Sequence, residues 1–548
     1  MKSKQEVVIG VDVGTGSVRA GVFSLRGKML GMGESPIEIF RPKPGFVEQS
    51  SDNIWESAGA AIRRSLKVAG VQPRSVLGIS FDATCSLVAL DKQDRPLSIS
   101  PTSKPNQNIV VWMDHRAIDQ ADRINSTRHS VLRYVGGKLS PEQEPPKLLW
   151  IKEKMPGTWK RVAKFLDLAD FMTYRATGND MRSLCTVVCK WTYLGHKGRH
   201  GRWDRSFFRE IGLDDLFTPC RAGETVRPMG ANAGSLREQA AKELGLAPGT
   251  AVGVGIIDAH AGGLGVLGSA FEDEPGDKNV EHILALIGGT SSCHMATTSK
   301  PIFVKGIWGP YFGAMMPGKW LLEGGQSATG ALIDHILADS ATGATLSEKA
   351  RVEEKTPYEM LNGIIRDLKR KNRKGPELVA NLHVLPYFHG NRSPHADPYA
   401  RGVIDGLSLD RSLDDLALRY YAAIQAIAYG TRQIMEALNT KGLSIDKIYA
   451  CGGGTKNRLW LQEHADVTGC EIILPKEPEA MLLGTALLAA TAGGAFEHLS
   501  EAMAAMCHAG SIVRPDLSTN NFHDLKYGVF QNMYRQQLKS RSLMSKFQ

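Results

Sequence analysis

Three positions in the 548-residue chain combine residue type and spacing in a way that could do chemistry. Asp258 closes an apolar, strand-like run (251–257) and precedes a stretch of small residues (259–265). A carboxylate at a strand end that opens into a cleft can accept the proton of an attacking hydroxyl. The same local sequence also admits an aspartate capping the helix that follows. Asp12 ends a β-branched run just before Gly14-Thr15-Gly16-Ser17. Turn N–H groups of that kind form an anion nest. A carboxylate beside such a nest suits Mg²⁺, which takes few carboxylates, several waters and phosphate oxygens. A hairpin kept tight for folding alone is the alternative. Finally, Gly452-Gly453-Gly454 follows a short strand-like run (448–451) and precedes a helix from about Asn457. Strand, glycine loop, helix places backbone N–H groups against phosphate or ribose, and only glycine lets a ligand approach so closely.

The elements that must position these residues are legible nearby. VVIGVDVGTGSVRAGVF (7–23) reads as strand, tight turn, strand, and a further turn at 26–28 leads to a third strand at 29–32. HILALIGGTSSCHMA (282–296) repeats the arrangement half a chain later, with Gly289-Thr290 in place of Gly14-Thr15. Two hairpins of one kind, so far apart, predict two related lobes facing each other. Between them strand-like and helix-like stretches alternate, which predicts α/β lobes. Residues 51–69 carry Ile54, Trp55, Ala58, Ile62 and Leu66 on one stripe and stop at Gly70, an amphipathic helix. A buried strand at 76–81 leads into Asp82-Ala83-Thr84-Cys85-Ser86. The clearest helix of the second half spans 412–438 and opens with a Ser412-x-x-Asp415 capping box. Residues 141–146 (PEQEPP) read as a surface loop and 369–374 (KRKNRK) as a solvated helix end rather than a nucleic-acid patch, since no aromatic platform accompanies the charge.

Composition narrows the class. Hydrophobic residues make up 42% and charged residues 22% of the chain, close to the globular average, so disordered, collagen-like and disulfide-scaffold readings fall away. A net charge of +9 over this length favours anionic small ligands without pointing to nucleic acid or membrane. The eight cysteines include no C-x-x-C pair and read as reduced thiols. The apolar stretch after Lys2 and Lys4 is too short for a signal peptide, and no apolar run reaches the roughly 18 residues of a spanning helix. A soluble, cytoplasmic protein is expected.

The chain resembles the FGGY carbohydrate kinases, within the actin-like ATPase superfamily. The likeness is carried by GVDVGTGSVRAGVF (10–23), VVWMDHRA (110–117), PKLLW (146–150), DFMTYRATGN (170–179), RWDRSFFREIGL (202–213), GVGIIDAHAGGLGVLG (253–268), GGTSS (288–292), EGGQSATGALIDHI (323–336), NRSPHADPYARG (391–402), CGGGTKNRLWLQEHAD (451–466) and EAMLLGTA (479–486), in the family's order. The resemblance implies two ribonuclease-H-like lobes, 1–268 and 269–548, with sugar bound to the first, ATP to the second and the reaction in the cleft between. It implies Asp258 as the catalytic base and Asp12 beside Mg²⁺. Gly14, Thr15, Gly16, Ser17 and Arg19 are then phosphate-side groups, with Gly289 and Thr290 facing the phosphates from the other lobe. Gly452, Gly453, Gly454 and Asn457 line the adenosine side, and Cys451 is a packing residue. Trp112, Asp114, Glu323 and Gln326 fall on the substrate side with Thr84, Cys85 and Ser86; core packing is the alternative for the Trp112 indole.

Small polar residues at 84–86 cannot supply the imidazole of many xylulokinases or the guanidinium of glycerol kinases. The Thr84-Cys85-Ser86-Leu87-Val88 string is similar to that of D-ribulokinases in this family, so phosphorylation of D-ribulose is expected. L-ribulose, xylulose or a pentitol are the alternatives within the class; a non-catalytic actin-like ATPase or a sugar sensor are the alternatives outside it. The family's usual Asp-x-Ser after Thr177-Gly178 is not evident in 180–189, which leaves the contacts of that loop open. The resemblance also admits a homodimer.

Overall fold

The computed structural model describes residues 6–198, 200–271 and 280–547; Lys2 and Lys4 lie outside them. The first hairpin forms as β1 (Val7–Val13), β2 (Ser17–Ser24) and β3 (Met29–Pro36). Its glycine turn closes with the Gly14 N–H donating to the Ser17 carbonyl at 3.0 Å. β1 is buried at every position, so its β-branched run packs on both faces of the sheet. Helix α1 (Ser51–Ala69) covers β2 and β3, capped by the Ser50 side chain on the Asn53 N–H and ended by Gly70 at φ 65°.

β4 (Val76–Ala83) runs parallel to β1 on its other side. The loop left open after residue 180 supplies a short helix, α2 (Leu184–Lys190). β5 (Asn232–Ser235), β6 (Ala251–Gly253) and β7 (Ile256–Ile257) complete the sheet. Its order is β5-β6-β4-β1-β2-β3, and β7 pairs with the far end of β4. The apolar run before Asp258 is therefore two short strands, broken at Val254-Gly255, and leads straight into α3 (Asp258–Leu267).

The second half repeats the pattern. β8 (Ile283–Gly288) and β9 (Ser292–Thr298) form the second hairpin, and β10 (Trp308–Phe312) and β11 (Trp320–Gln326) extend its edge. Helix α4 (Leu413–Asn439) follows. Then come β12 (Lys447–Cys451), α5 (Arg458–Thr468), β13 (Glu471–Pro475), α6 (Ala480–Ala492) and β14 (Ala509–Val513). The order is β10-β11-β9-β8-β12-β13-β14. β8 is antiparallel to β9 and parallel to β12, just as β1 is antiparallel to β2 and parallel to β4. The repeat expected from the two Gly-Thr turns is thus a repeat of topology.

Two local expectations need correction. Residues 141–146 are not all loop: a helix begins at Glu144 and carries Pro145 and Pro146 in its first turn, where their missing N–H groups cost nothing. At α4 only half of the capping box forms. Ser412 Oγ accepts the Asp415 N–H at 3.1 Å, but the Asp415 carboxylate turns to Arg419 at 2.6 Å.

The halves are joined by helix packing. α6, from the second half, lies across β1 and β4 and against α3. The contact is backbone to backbone: a Cβ added at Gly484 would meet the Ala261 carbonyl at 1.9 Å, and one at Gly265 the Ala480 carbonyl at 2.0 Å. The small residues 259–265 permit this approach. All eight cysteines are free thiols. Among the described residues no helix is long and apolar enough to cross a membrane.

Candidate active site

Three adjacent parallel strands each deliver a carboxylate to the same edge of the first sheet. Asp12 of β1 stands opposite Asp82 of β4, Asp82 stands opposite Ile256 of β7, and Asp258 follows two residues later. The carboxyl ends of parallel strands are where open α/β sheets bind ligands. Asp258 is the half-buried member; it starts α3, and its Oδ1 accepts the Ala259 N–H at 2.7 Å. Burial, and after it the charge of Asp12, push its carboxyl up to about 6. Asp82 did not stand out in the sequence because it closes an apolar strand run as an ordinary polar stop. Burial and Asp12 push it well above the usual range, although Thr485 of α6 donates its hydroxyl to Oδ2.

Arg19 grips Asp12 through Oδ2, with Nε at 2.9 Å, and reaches Glu479 with Nη1 at 2.8 Å. That leaves Oδ1 of Asp12 and Oδ1 of Asp82 buried with no hydrogen bond. Two buried carboxyls that meet on neighbouring strands, each with an oxygen no other donor reaches, fit a hard divalent cation, whose charge would relieve their mutual repulsion. Beside them, the Thr15 carbonyl takes a bond from Gln49 at 2.8 Å and Ser17 gives its hydroxyl to Glu34 at 2.7 Å. Gly14 closes the turn, and among the described residues the N–H groups of Thr15 and Gly16 have no hydrogen-bond partner. From the second lobe, exposed Gly289 and Thr290 form the matching turn, braced by Thr329 Oγ1 on the Gly289 carbonyl at 2.9 Å.

Gly452 sits at φ 94°, and a Cβ there would meet the Gly288 carbonyl at 2.4 Å, so the glycine loop needs this residue for its own fold. Exposed Gly453 and half-buried Gly454 follow. Asn457 is the cap of α5: its Oδ1 accepts the Leu459 and Trp460 N–H groups, and its Nδ2 donates to Tyr420 Oη at 2.7 Å. It holds the loop in place. Cys451 is buried beneath it.

Among the residues expected on the substrate side, the Thr84 and Ser86 hydroxyls bond each other at 3.1 Å and Ser86 accepts the Trp112 N–H at 3.3 Å. The Trp112 indole donates to Thr15 Oγ1 at 3.1 Å, linking this string to the phosphate-side turn. Cys85 is half-buried beside them. Two residues expected on the substrate side have their polar atoms committed elsewhere. Both Asp114 oxygens are taken by Arg116 and by the Val47 N–H at 2.6 Å, inside a buried network that includes Glu48. Gln326 donates to the Ile427 carbonyl at 2.9 Å, under Gly430 of α4. Glu323 of β11 is buried, with His260 Nε2 at 3.3 Å from its Oε2. Against the cost of burial, His260 and Lys190 hold its carboxyl at about 2.

Lys190, at the end of α2, escaped sequence reasoning altogether. Its ammonium is nearly buried, lies 5.0 Å from the Trp308 ring, and is surrounded by Cys85, Glu323, Tyr311 and Glu142. Burial opposes its charge, but these acids hold it well above the ordinary lysine range. Arg392 sits 5.1 Å from the same indole and 3.6 Å from Glu142. Only the open loop after residue 180 signalled that something unassigned stood there.

The whole chain superimposes on known enzymes of this shape. A ligand-bound xylulose kinase from Lactobacillus acidophilus matches with a TM-score of 0.79 over 99% of this chain and 100% of its own, at 20% identity. The fold is thus the two-lobe, actin-like ATPase fold of sugar kinases. Residues 7–265 match the N-terminal domain, and 284–493 the C-terminal domain, of the FGGY family of carbohydrate kinases. The chain belongs to that family. A human FGGY carbohydrate kinase domain-containing protein is 46% identical over 548 residues, covering 98% of each chain. A D-ribulokinase of Saccharomyces cerevisiae is 38% identical over 526 residues, covering 90% of this chain and 73% of its own.

Proposed function

We propose that this carbohydrate kinase transfers the γ-phosphoryl group of ATP to D-ribulose, giving D-ribulose 5-phosphate. The observation that carries the reading is the half-buried Asp258 carboxylate at the strand edge, in the field of Asp12 and Lys190, the latter with Cys85 and Glu323 around it. Asp258 accepts the proton of the sugar's primary hydroxyl as that oxygen attacks in line. Lys190 and Glu323 offer a donor and an acceptor to the remaining hydroxyls, and Cys85 leaves room where other subfamilies place an imidazole or a guanidinium. The N–H groups of Thr15 and Gly16 and the turn at Gly289 and Thr290 cradle the phosphates, while 452–454 takes the adenosine. Asp12 and Asp82 would hold Mg²⁺ through their unpartnered Oδ1 atoms; the ion, when bound, neutralises phosphate charge. We assign residues 1–268 to sugar binding and 269–548 to nucleotide binding, except for α6, which packs on the first sheet.

The relative from Saccharomyces cerevisiae supports the choice of sugar, as does the small-residue string at 84–86. A panel of D-ribulose, L-ribulose, D-xylulose and ribitol, followed by coupled detection of ADP, tests it. D-ribulose is expected to give the highest kcat/KM. A clear preference for any other member would overturn the assignment of the sugar, and ATP turnover unresponsive to all four would overturn the kinase reading of the site.

A further inference from the structure

Cys185 and Cys189 stand four residues apart on α2, so their thiols project from one face of the helix. The third residue of α3, His260, meets them there: its Nδ1 lies 3.1 Å from Cys185 Sγ. The two sulfurs and one ring nitrogen all lie within 4.8 Å of one another, and all three side chains are buried. The other ring nitrogen, Nε2, is 3.3 Å from Glu323 Oε2, on a strand from the opposite half of the chain. None of this is required for phosphoryl transfer, in which these three side chains take no part.

We propose that Cys185, Cys189 and His260 form a binding site for a borderline-soft divalent cation, Zn²⁺ by its chemistry. The donor set selects the ion: two thiolates and an imidazole suit zinc or cobalt and are poor ligands for Mg²⁺ or Ca²⁺. Geometry agrees. With Zn–S of about 2.3 Å and Zn–N of about 2.0 Å, tetrahedral ligand atoms lie about 3.5–3.8 Å apart. The Cys185–His260 pair therefore opens by about half an ångström to admit the ion, within the 4.8 Å that already spans the set. The second shell is also built: a ligating histidine characteristically donates its far N–H to a carboxylate, which fixes the tautomer, and Glu323 is that carboxylate.

Charge balance favours occupancy. Binding displaces the thiol protons and any proton on Nδ1, while Nε2 keeps its hydrogen for Glu323. Two thiolates, a neutral imidazole and a dication sum to zero, cheaper to bury than any of the charges alone. The Glu323 charge is answered by nearby Lys190. The ion would clamp α2, which ends in Lys190, to α3, which begins with Asp258, as a positioning element.

The test is titration of the reduced, full-length protein with Co²⁺ and then Zn²⁺. One equivalent of Co²⁺ per chain is expected, with a sulfur-to-metal charge-transfer band that Zn²⁺ abolishes. Cys185→Ser and Cys189→Ser should each weaken binding at least tenfold, and Cys220→Ser should leave it unchanged. X-ray absorption of the zinc-loaded wild-type protein, which needs no variant to fold, should show sulfur at about 2.3 Å and nitrogen at about 2.0 Å. Binding below a tenth of an equivalent, a shell of oxygen alone, or equal affinity in a folded Cys185→Ser/Cys189→Ser double variant would overturn the proposal.

Discussion

Replacing Lys190 by methionine separates sugar recognition from everything else the cleft does. The side chain keeps its length and its packing against the Trp308 ring, 5.0 Å away. What disappears is one charged donor. Its acid neighbours keep other partners: Glu323 retains His260 at 3.3 Å and Glu142 retains Arg392 at 3.6 Å, so neither carboxylate is orphaned. The fold should therefore survive, with a melting temperature close to wild type. A hydrogen bond from a charged donor contributes about 1.5–3 kcal/mol, and each 1.4 kcal/mol is a factor of ten, so kcat/KM for D-ribulose should fall about 10- to 150-fold. The KM for ATP should move less than threefold if Lys190 serves the sugar as proposed. Steady-state kinetics with each substrate varied in turn, together with thermal melts, read all three quantities. An unchanged kcat/KM for the sugar in a folded variant would refute the placement of Lys190 in the pocket; a matching loss in ATP affinity would refute its confinement to the sugar side.

Asp258→Asn should lower kcat about 10²- to 10⁴-fold while sugar binding measured calorimetrically persists; near wild-type turnover would remove Asp258 from the chemistry. Cys85→His, which fills the space beside Lys190, should raise the KM for D-ribulose at least tenfold and leave nucleotide binding intact, checked by the same kinetics. Lys526 offers a pH test of stability. Burial lowers its ammonium to about 7, against 10.5 in the unfolded chain. Between those values the unfolded state binds the extra proton, so wild-type stability rises with pH across that window and is lowest below 7. Lys526→Met should therefore stabilise the protein by about 1–3 kcal/mol near pH 6, partly offset by the Val379 carbonyl it leaves unbonded, and the gain should fade by about pH 10 in denaturant melts.

What the sequence discloses is whatever local physics decides. Glycine turns between β-branched runs announced both hairpins, and Gly70 marked the end of α1 because stops act over a few residues. The order of motifs carried the family, and with it Asp12 and Asp258. The residues that stayed hidden are single polar groups whose meaning comes from distant neighbours. Asp82 matters because β1 sets Asp12 opposite it. Lys190 matters because Glu142, Trp308 and Glu323, far apart in the chain, converge on it. Gln326 and Asp114 illustrate the converse: polar residues inside family-like segments whose hydrogen bonds are consumed by α4 and by Arg116. The role of α6 was equally invisible, since nothing in an alanine-rich apolar helix tells which of two sheets it will cover.

The seam between α3 and α6 makes the halves of the gene unequal to the halves of the molecule. Gly10 and Gly78 take the Leu482 and Ala489 carbonyls of α6 into the first sheet as closely as Gly484 takes Ala261. A fragment truncated before residue 480 would strip that sheet of its roof, so the first lobe is not an autonomous folding unit even though it is written first. The same seam holds the acidic edge of the first sheet in place from the far end of the chain, because Thr485 of α6 bonds Asp82 there.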